Sequence, residues 1–262
     1  MNDSYFHGEA PFWLDHRLPH FPDPHAAMQD PNGLLAIGGD LTPNWILAAY
    51  QLGIFPWFSH GDPILWWSPN PRSVLKIAQF KLRRSLQQRW REKVVSGAYQ
   101  LTLDQSFEEV MEACAHIPRP GQDGTWIHRS MIRAYQNLHQ QGHAHSVEVW
   151  QYGKLVGGLY GLAIGKMFFG ESMFSRQTDA SKLALSALCM QLANWGFEWI
   201  DTQVETSHLL SLGAELLPRD VFMQGIARLQ QNTFTPQKWQ FELNWQNALS
   251  EFLEWQAAAK PL

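Results

Sequence analysis

Between His145 and Val204 the order of elements is written in the periodicity of the chain, and it excludes most α/β architectures. His145 to Trp150 alternates as a half-buried strand does, and Tyr152-Gly153 is a turn. Lys154 to Tyr160 and Lys166 to Phe169 read as further strands, Asp179 to Trp195 as a long helix closed by Gly196, and Glu198 to Val204 as another strand. Hairpins followed by one helix and one strand make an α+β fold rather than a doubly wound βαβ repeat. The most apolar glycine-rich stretch, Val156 to Gly170, carries Lys166 and five glycines. No apolar run reaches the roughly 18 residues that a membrane-spanning helix needs.

Upstream, Pro and Gly set the punctuation. Residues 1–30 are rich in Pro and His and show no regular element. Thr42 and Pro43 open a helix that runs to about Leu52, with Leu41 stapled onto Ile46 and Gly53 at its C-terminal cap. Ile54 to Phe58 is a loop of large apolar groups, and Trp66-Trp67-Ser68-Pro69-Asn70-Pro71 discourages a helix. A boundary near residue 70 is therefore expected, dividing a small N-terminal domain (1–70) from a larger α+β domain (71–262). Ser106 and Glu109 read as the capping box of an amphipathic helix to His116, ended by Pro118-Arg119-Pro120-Gly121, and a second helix covers Arg129 to Gln141. Trp245, Leu249, Phe252 and Leu253 predict a last amphipathic helix. A 45% hydrophobic composition supplies a sizeable core, which excludes wholesale disorder. Two cysteines and no visible secretory signal make a reducing, cytoplasmic setting the expectation.

Charge is informative once it is split. Residues 72–93 hold Arg72, Lys76, Lys81, Arg83, Arg84, Arg89, Arg91 and Lys93 against the single acid Glu92, a window of +7 in a chain of net −4. Val74, Leu75, Ile77, Phe80, Leu82, Leu86 and Trp90 interleave with these charges, so the segment reads as a strand end and a helix with one basic side. Either a solvated face or an anionic partner accounts for it.

The usual carriers of covalent or metal chemistry are missing. Cys114 and Cys189 sit on apolar helical positions as small hydrophobes. Gly170-Glu171-Ser172-Met173-Phe174 breaks the nucleophile-elbow pattern at its last position. His143 and His145 share a strand face, a weak sign of metal ligation, and no metal is expected. Acetyltransferases that use coenzyme A share this strand–loop–helix order, but Ser175-Arg176-Gln177-Thr178-Asp179-Ala180-Ser181 lacks the glycines of a pyrophosphate loop. Asp201 and Gln203, two apart on a predicted strand, should point the same way; such a pair can orient an amine or serve as an ordinary edge-strand salt bridge.

Several blocks in order resemble the bacterial leucyl/phenylalanyl-tRNA–protein transferase family: residues 31–41, 50–58, 66–72, 124–127, 142–150, 170–176 and 200–204. The resemblance implies a small N-terminal domain joined to an acetyltransferase-like (GNAT-like) domain, with no cofactor. The activity it implies is transfer of Leu or Phe, and less well Met, from Leu-tRNA or Phe-tRNA to the α-amine of proteins that begin with Arg or Lys. The product would be an N-degron for ATP-dependent proteolysis. It further implies a monomer with no membrane association.

By the same resemblance Asp201 and Gln203 are catalytic and Glu171 binds the acceptor's basic side chain. Leu159, Phe168 and Ile200 form the aminoacyl pocket, Trp57 and Trp126 flank the terminal adenosine, and Tyr50 and Tyr135 lie near the same donor site. Lys81, Arg83, Arg84, Arg89 and Arg91 hold tRNA phosphates. A coenzyme A N-acyltransferase and a non-catalytic tRNA-binding protein are the competing readings.

Overall fold

The computed structural model describes residues 10–117, 125–232 and 238–259. The expected helix stop at Pro118–Gly121, Gly124 and residues 1–9 lie outside them. Two sheets organise the chain. The first is built from β1 (Phe12–Leu14), β2 (Leu34–Gly38), β3 (Phe55–Pro56) and β4 (Leu65–Trp67) in the order β1-β2-β4-β3, with α1 (Pro43–Gln51) between β2 and β3. Pro43 stands in the first turn of α1, as its fixed φ favours, and Gly53 turns the chain out of the helix at φ +69°. Thr42 precedes Pro43 in an extended conformation, but its hydroxyl makes no capping bond.

Residues 72–230 supply the second sheet, of seven strands. Its members are β5 (Arg72–Lys76), β6 (Gln100–Leu103), β7 (Ala144–Gln151), β8 (Lys154–Ile164), β9 (Met167–Ser175), β10 (Trp199–Gln203) and β11 (Glu215–Leu217), in the order β11-β5-β10-β9-β8-β7-β6. β7, β8 and β9 are successive antiparallel neighbours, and the β7–β8 turn uses Tyr152 and Gly153, both at positive φ. The β9–β10 pair is parallel, because α5 (Ala180–Asn194) carries the chain back across the sheet.

Helices cover both faces. α3 (Phe107–His116) and α4 (Arg129–Gln140) pack with the first sheet against one face, through Tyr160, Leu162 and Phe169. α5 and α2 (Arg84–Trp90), whose last turn widens into π-helical residues Arg91–Val95, cover the other face through Val147, Leu159 and Phe168. α5 is apolar almost all round, as a helix enclosed on every side must be, and its residues Leu183–Leu192 are all buried. α6 (Ser207–Ser211), α7 (Arg219–Gln230) and α8 (Trp245–Ala258) complete the chain.

The expected capping box of α3 is corrected in one respect. The Ser106 hydroxyl donates to the Glu109 carboxylate at 3.0 Å, but the backbone N–H groups of Gln105 and Ser106 turn to buried Glu148. Burial pushes the Glu148 carboxyl up to about 7, against hydrogen bonds from Ser146 and Thr102 that favour its charge.

Candidate active site

The parallel pairing of β9 and β10 stops at Phe169 and Asp201; beyond it β9 is paired only with β8. Where the strands part, a cleft of about 590 Å³ opens, in the size range of small-ligand sites. Its lining is mainly apolar. Leu159, Phe168 and Ile200 come from three neighbouring strands, Leu185 and Leu188 from one face of α5, and Leu209 from α6. Trp57, 39% exposed, and half-buried Trp126 form the side contributed by the first sheet and the start of α4. The expected pocket residues Leu159, Phe168 and Ile200 thus meet in one place with both tryptophans.

Gly161 shapes this floor. The β8–β9 register shifts at Tyr160/Gly161, and a Cβ on Gly161 would stand 2.1 Å from the Phe169 carbonyl oxygen and 2.6 Å from the Phe168 ring. Gly161→Ala is expected to cost about 1–3 kcal/mol of stability through that overpacking. Chemical denaturation would check it, and an unchanged midpoint would refute the close packing.

Glu171, on β9, is the polar hub at the end of the cleft. It keeps some surface open to the cleft, yet its carboxylate is enclosed by donors. The Tyr50 hydroxyl donates to Oε1 at 2.7 Å, the Gln203 amide donates to Oε1 at 3.0 Å, and the Tyr135 hydroxyl donates to Oε2 at 3.0 Å. Burial raises the carboxyl to about 7, opposed by the two tyrosine hydrogen bonds. Burial and the neighbouring Glu171 charge hold both tyrosines well above the usual phenol range. Tyr50 and Tyr135 themselves are fully buried, do not line the cleft, and lie 2.7 Å apart behind Glu171. They stand next to the expected donor site without entering its lining, and they hold the carboxylate, because their hydroxyls are the partners its buried oxygens require.

Asp201 and Gln203 do not share a strand face as two-residue spacing suggests. A register shift falls between them, and Gln203 sits at φ +56°, a costly conformation for a residue with a side chain. The irregularity turns Gln203 into the cleft while Asp201 stays fully buried beneath it. Arg72 grips Asp201 with two parallel bonds, Nε–Oδ1 2.9 Å and Nη2–Oδ2 2.7 Å. Asp201 Oδ1 also accepts the Gln203 backbone N–H at 2.9 Å. The Arg72 guanidinium lies between the Phe55 and Phe222 rings, 4.7 Å from each centroid. Asp201 thus meets the cleft through Gln203, and its charge also bears on Glu171; Arg72 is a partner that the sequence hid inside a basic window.

That window divides. Arg72 is buried, and Lys76 pairs with Glu215. Lys81, Arg83, Arg84, Arg89 and Arg91 are exposed, with Arg89 also beside Glu92 at 3.1 Å and Asp179 at 3.7 Å. The start of the exposed run adjoins the cleft: the Lys81 N–H donates to the Leu212 carbonyl and the Arg83 guanidinium reaches the Ser211 carbonyl, at the end of the α6 helix that contributes His208 and Leu209 to the lining. The loop before α5 closes on itself. The Ser175 hydroxyl donates to the Gln177 carbonyl and accepts the Ser181 N–H, the position where a pyrophosphate cradle would need open amides.

Of the histidine pair on the strand, His145 is held by structural partners. His145 Nδ1 meets Asp104 at 2.8 Å, and its ring stacks on Trp239 at 3.6 Å. Among the described residues no group of three His, Cys, Asp or Glu could hold a metal. Cys114 and Cys189 are buried, and burial pushes the Cys189 thiol far up. Sequence reasoning missed His208, Thr206 and Val204 in the cleft, since a five-residue helix and a bulged strand end leave no periodic trace.

The family profile described as leucyl/phenylalanyl-tRNA protein transferase matches residues 74–227, and that of its N-terminal domain matches 39–70. Proteins named leucyl/phenylalanyl-tRNA–protein transferase from Hydrogenovibrio crunogenus and Nitrosospira multiformis are similar throughout. The first is 58% identical over 90% of this chain and 91% of its own; the second is 53% identical over 85% and 94%. A GCN5-related N-acetyltransferase from Kribbella flavida aligns at a TM-score of 0.33 and 11% identity, over 67% of this chain and 61% of that one. The class that the family profile and the two named relatives define is that of aminoacyltransferases, enzymes that work on aminoacyl-tRNA. Within it, the chain belongs to the leucyl/phenylalanyl-tRNA–protein transferase family.

Proposed function

We propose that this protein transfers Leu or Phe, and Met less well, from the 3′ end of aminoacyl-tRNA to the α-amine of proteins that begin with Arg or Lys. It acts as a monomer in the cytoplasm, and its product is an N-degron for ATP-dependent proteolysis. One observation carries this reading. An apolar cleft ends on Gln203 and Glu171, and the exposed basic segment that opens at Lys81 is tied to Leu212, next to the helix that lends His208 and Leu209 to the cleft.

The aminoacyl side chain fills the space between Leu159, Phe168 and Ile200, and the terminal adenosine lies against Trp57 and Trp126, where stacking on an aromatic contributes about 1–3 kcal/mol per base. The amide NH₂ of Gln203 is engaged by Glu171, so its carbonyl oxygen is the group left to accept a hydrogen bond from the acceptor's α-amine. The amine nitrogen forms a bond to the ester carbonyl carbon, the bond to the ribose oxygen breaks, and the amine proton ends on that oxygen. An α-amine with pKa about 7.7–8.0 needs little help from a base, so positioning supplies most of the rate. Asp201 is a positioning residue, holding the Gln203 backbone. Glu171 receives the basic side chain of the acceptor.

The direct test mixes the protein with radiolabelled Phe-tRNA and two peptides, one starting with Arg and one with Ala. Label on the Arg peptide alone, abolished by ribonuclease pretreatment, is expected. Silence with Phe-, Leu- and Met-tRNA would overturn the reading.

The role of Glu171 has a pH signature. Its carboxyl, at about 7, loses the charge that attracts an Arg side chain as pH falls from 8 to 6. The α-amine titrates alike in wild type and Glu171→Gln, so the ratio of their kcat/KM values isolates Glu171. That ratio is expected to rise through about pH 7. A flat ratio would remove Glu171 from acceptor binding.

A further inference from the structure

The C-terminal segment lies beyond the family profile, which ends at residue 227, yet it is fastened to the basic segment at both ends. The side-chain amide of buried Gln256 on α8 reaches three backbone carbonyls of the turn that leads into the cations: Ile77 at 3.3 Å, Ala78 at 3.2 Å and Phe80 at 2.9 Å. At the other end, the Gln246 amide donates to the Val95 carbonyl at 3.3 Å, and the Trp245 ring packs edge-on against Trp90 at 5.6 Å. Lys81, Arg83, Arg84, Arg89 and Arg91 lie between these two fastening points.

The segment is itself anchored. The Trp239 N–H donates to buried Asp104 at 2.7 Å, and the Trp239 ring stacks on His145. The Glu242 N–H donates to the Gln191 amide oxygen at 2.9 Å, while the Glu242 carboxylate accepts from the Trp195 indole, also at 2.9 Å.

We infer that α8 is a brace that sets the geometry of the donor-binding cations, with Gln256 as its principal positioning residue. The inference rests on the proposed role of residues 81–91 as the tRNA surface. α8 does not act by touching phosphates: its only charged side chains are Glu251 and Glu254, which repel a polyanion. Its effect passes through the carbonyls of residues 77–80 and 95. Holding exposed arginines in one arrangement lowers the ordering cost of phosphate binding, so loosening the brace weakens the donor complex and leaves the acceptor site alone.

The experiment measures KM for Phe-tRNA, KM for an Arg-starting peptide and kcat in the full chain. The variants are Gln256→Leu, Gln246→Ala and, as a control on the underlying reading, Arg84→Ala with Arg91→Ala. Gln256→Leu is expected to raise the Phe-tRNA KM about fivefold to tenfold, with kcat and peptide KM unchanged, since a clamp of this kind is worth about one net hydrogen bond or slightly more. The dependence of tRNA binding on salt should become shallower as phosphate contacts are lost. A merely structural role would instead lower Tm and impair all three together, with kcat lowered and both KM values raised, which overturns the brace. If the arginine variants raise the tRNA KM but Gln256→Leu and Gln246→Ala do not, the brace fails and the tRNA surface stands. If the arginine variants change nothing, the tRNA surface fails and the brace with it.

Discussion

Arg72→Met is expected to lower the stability of the folded protein by about 3–5 kcal/mol, the usual cost of removing one partner from a buried ion pair. Both oxygens of Asp201 are committed to Arg72, and neither residue has solvent access. Methionine, taking the guanidinium's place between Phe55 and Phe222, leaves the buried Asp201 carboxylate to the Gln203 backbone N–H. Urea unfolding would read the loss as a shifted midpoint at unchanged slope. A change below about 1 kcal/mol would mean that water or a rearranged side chain already satisfies the carboxylate. The double change Arg72→Met with Asp201→Leu should recover much of the stability, because apolar replacement of a whole buried pair is often neutral. It should not recover transfer, because the Gln203 backbone then loses the acceptor that holds its strained conformation.

The second large effect is on chemistry. Gln203→Leu should reduce kcat/KM for transfer about 100-fold or more, the scale seen when one preorganised hydrogen-bonding group is taken from a reaction centre. Binding of aminoacyl-tRNA should persist, because the pocket walls and the cations are untouched. Glu171 keeps its two tyrosine donors in this variant, so the fold around the hub is retained. Single-turnover transfer and filter binding on the same preparation separate the two quantities. Transfer at the wild-type rate would remove Gln203 from the reaction centre, and loss of both would assign it a structural role.

Periodic elements were open to sequence reading because packing imposes the period. Phe107, Val110, Met111 and Cys114 repeat along α3 as a buried face must, and all are buried. β7 and β8 were legible through alternation and the Tyr152-Gly153 turn. The pocket residues Leu159, Phe168 and Ile200 and both tryptophans came from family resemblance, and the structure brings them together. What the sequence concealed were departures from regularity. Nothing in Asp201-Thr202-Gln203 announces a bulge, since a glutamine at positive φ is held there by tertiary contacts rather than by its own preference. The direction of Tyr50 and Tyr135 depends on a carboxylate 121 residues from Tyr50, a distance over which local pattern is silent. Arg72 looked like one more cation in a basic run because its partner lies 129 residues downstream. Trp245, Leu249 and Phe252 gave α8 its helical face, but not the carbonyls to which Gln256 extends.

The position of β5 bears on how the chain is made. Its partners in the sheet are β10 and β11, so it has no strand beside it until β10 has left the ribosome. At about 5–20 residues per second, the 129 residues from Arg72 to Asp201 take roughly 6–26 s to synthesise. Throughout that interval an apolar strand with Val74 and Leu75 stands with both edges open, the condition that invites intermolecular pairing. Arg72 and Lys76, at its two ends, are charged gatekeepers during the wait. The ion pair beneath the cleft cannot close before then, so a nascent chain has no organised reaction centre until synthesis has passed Asp201.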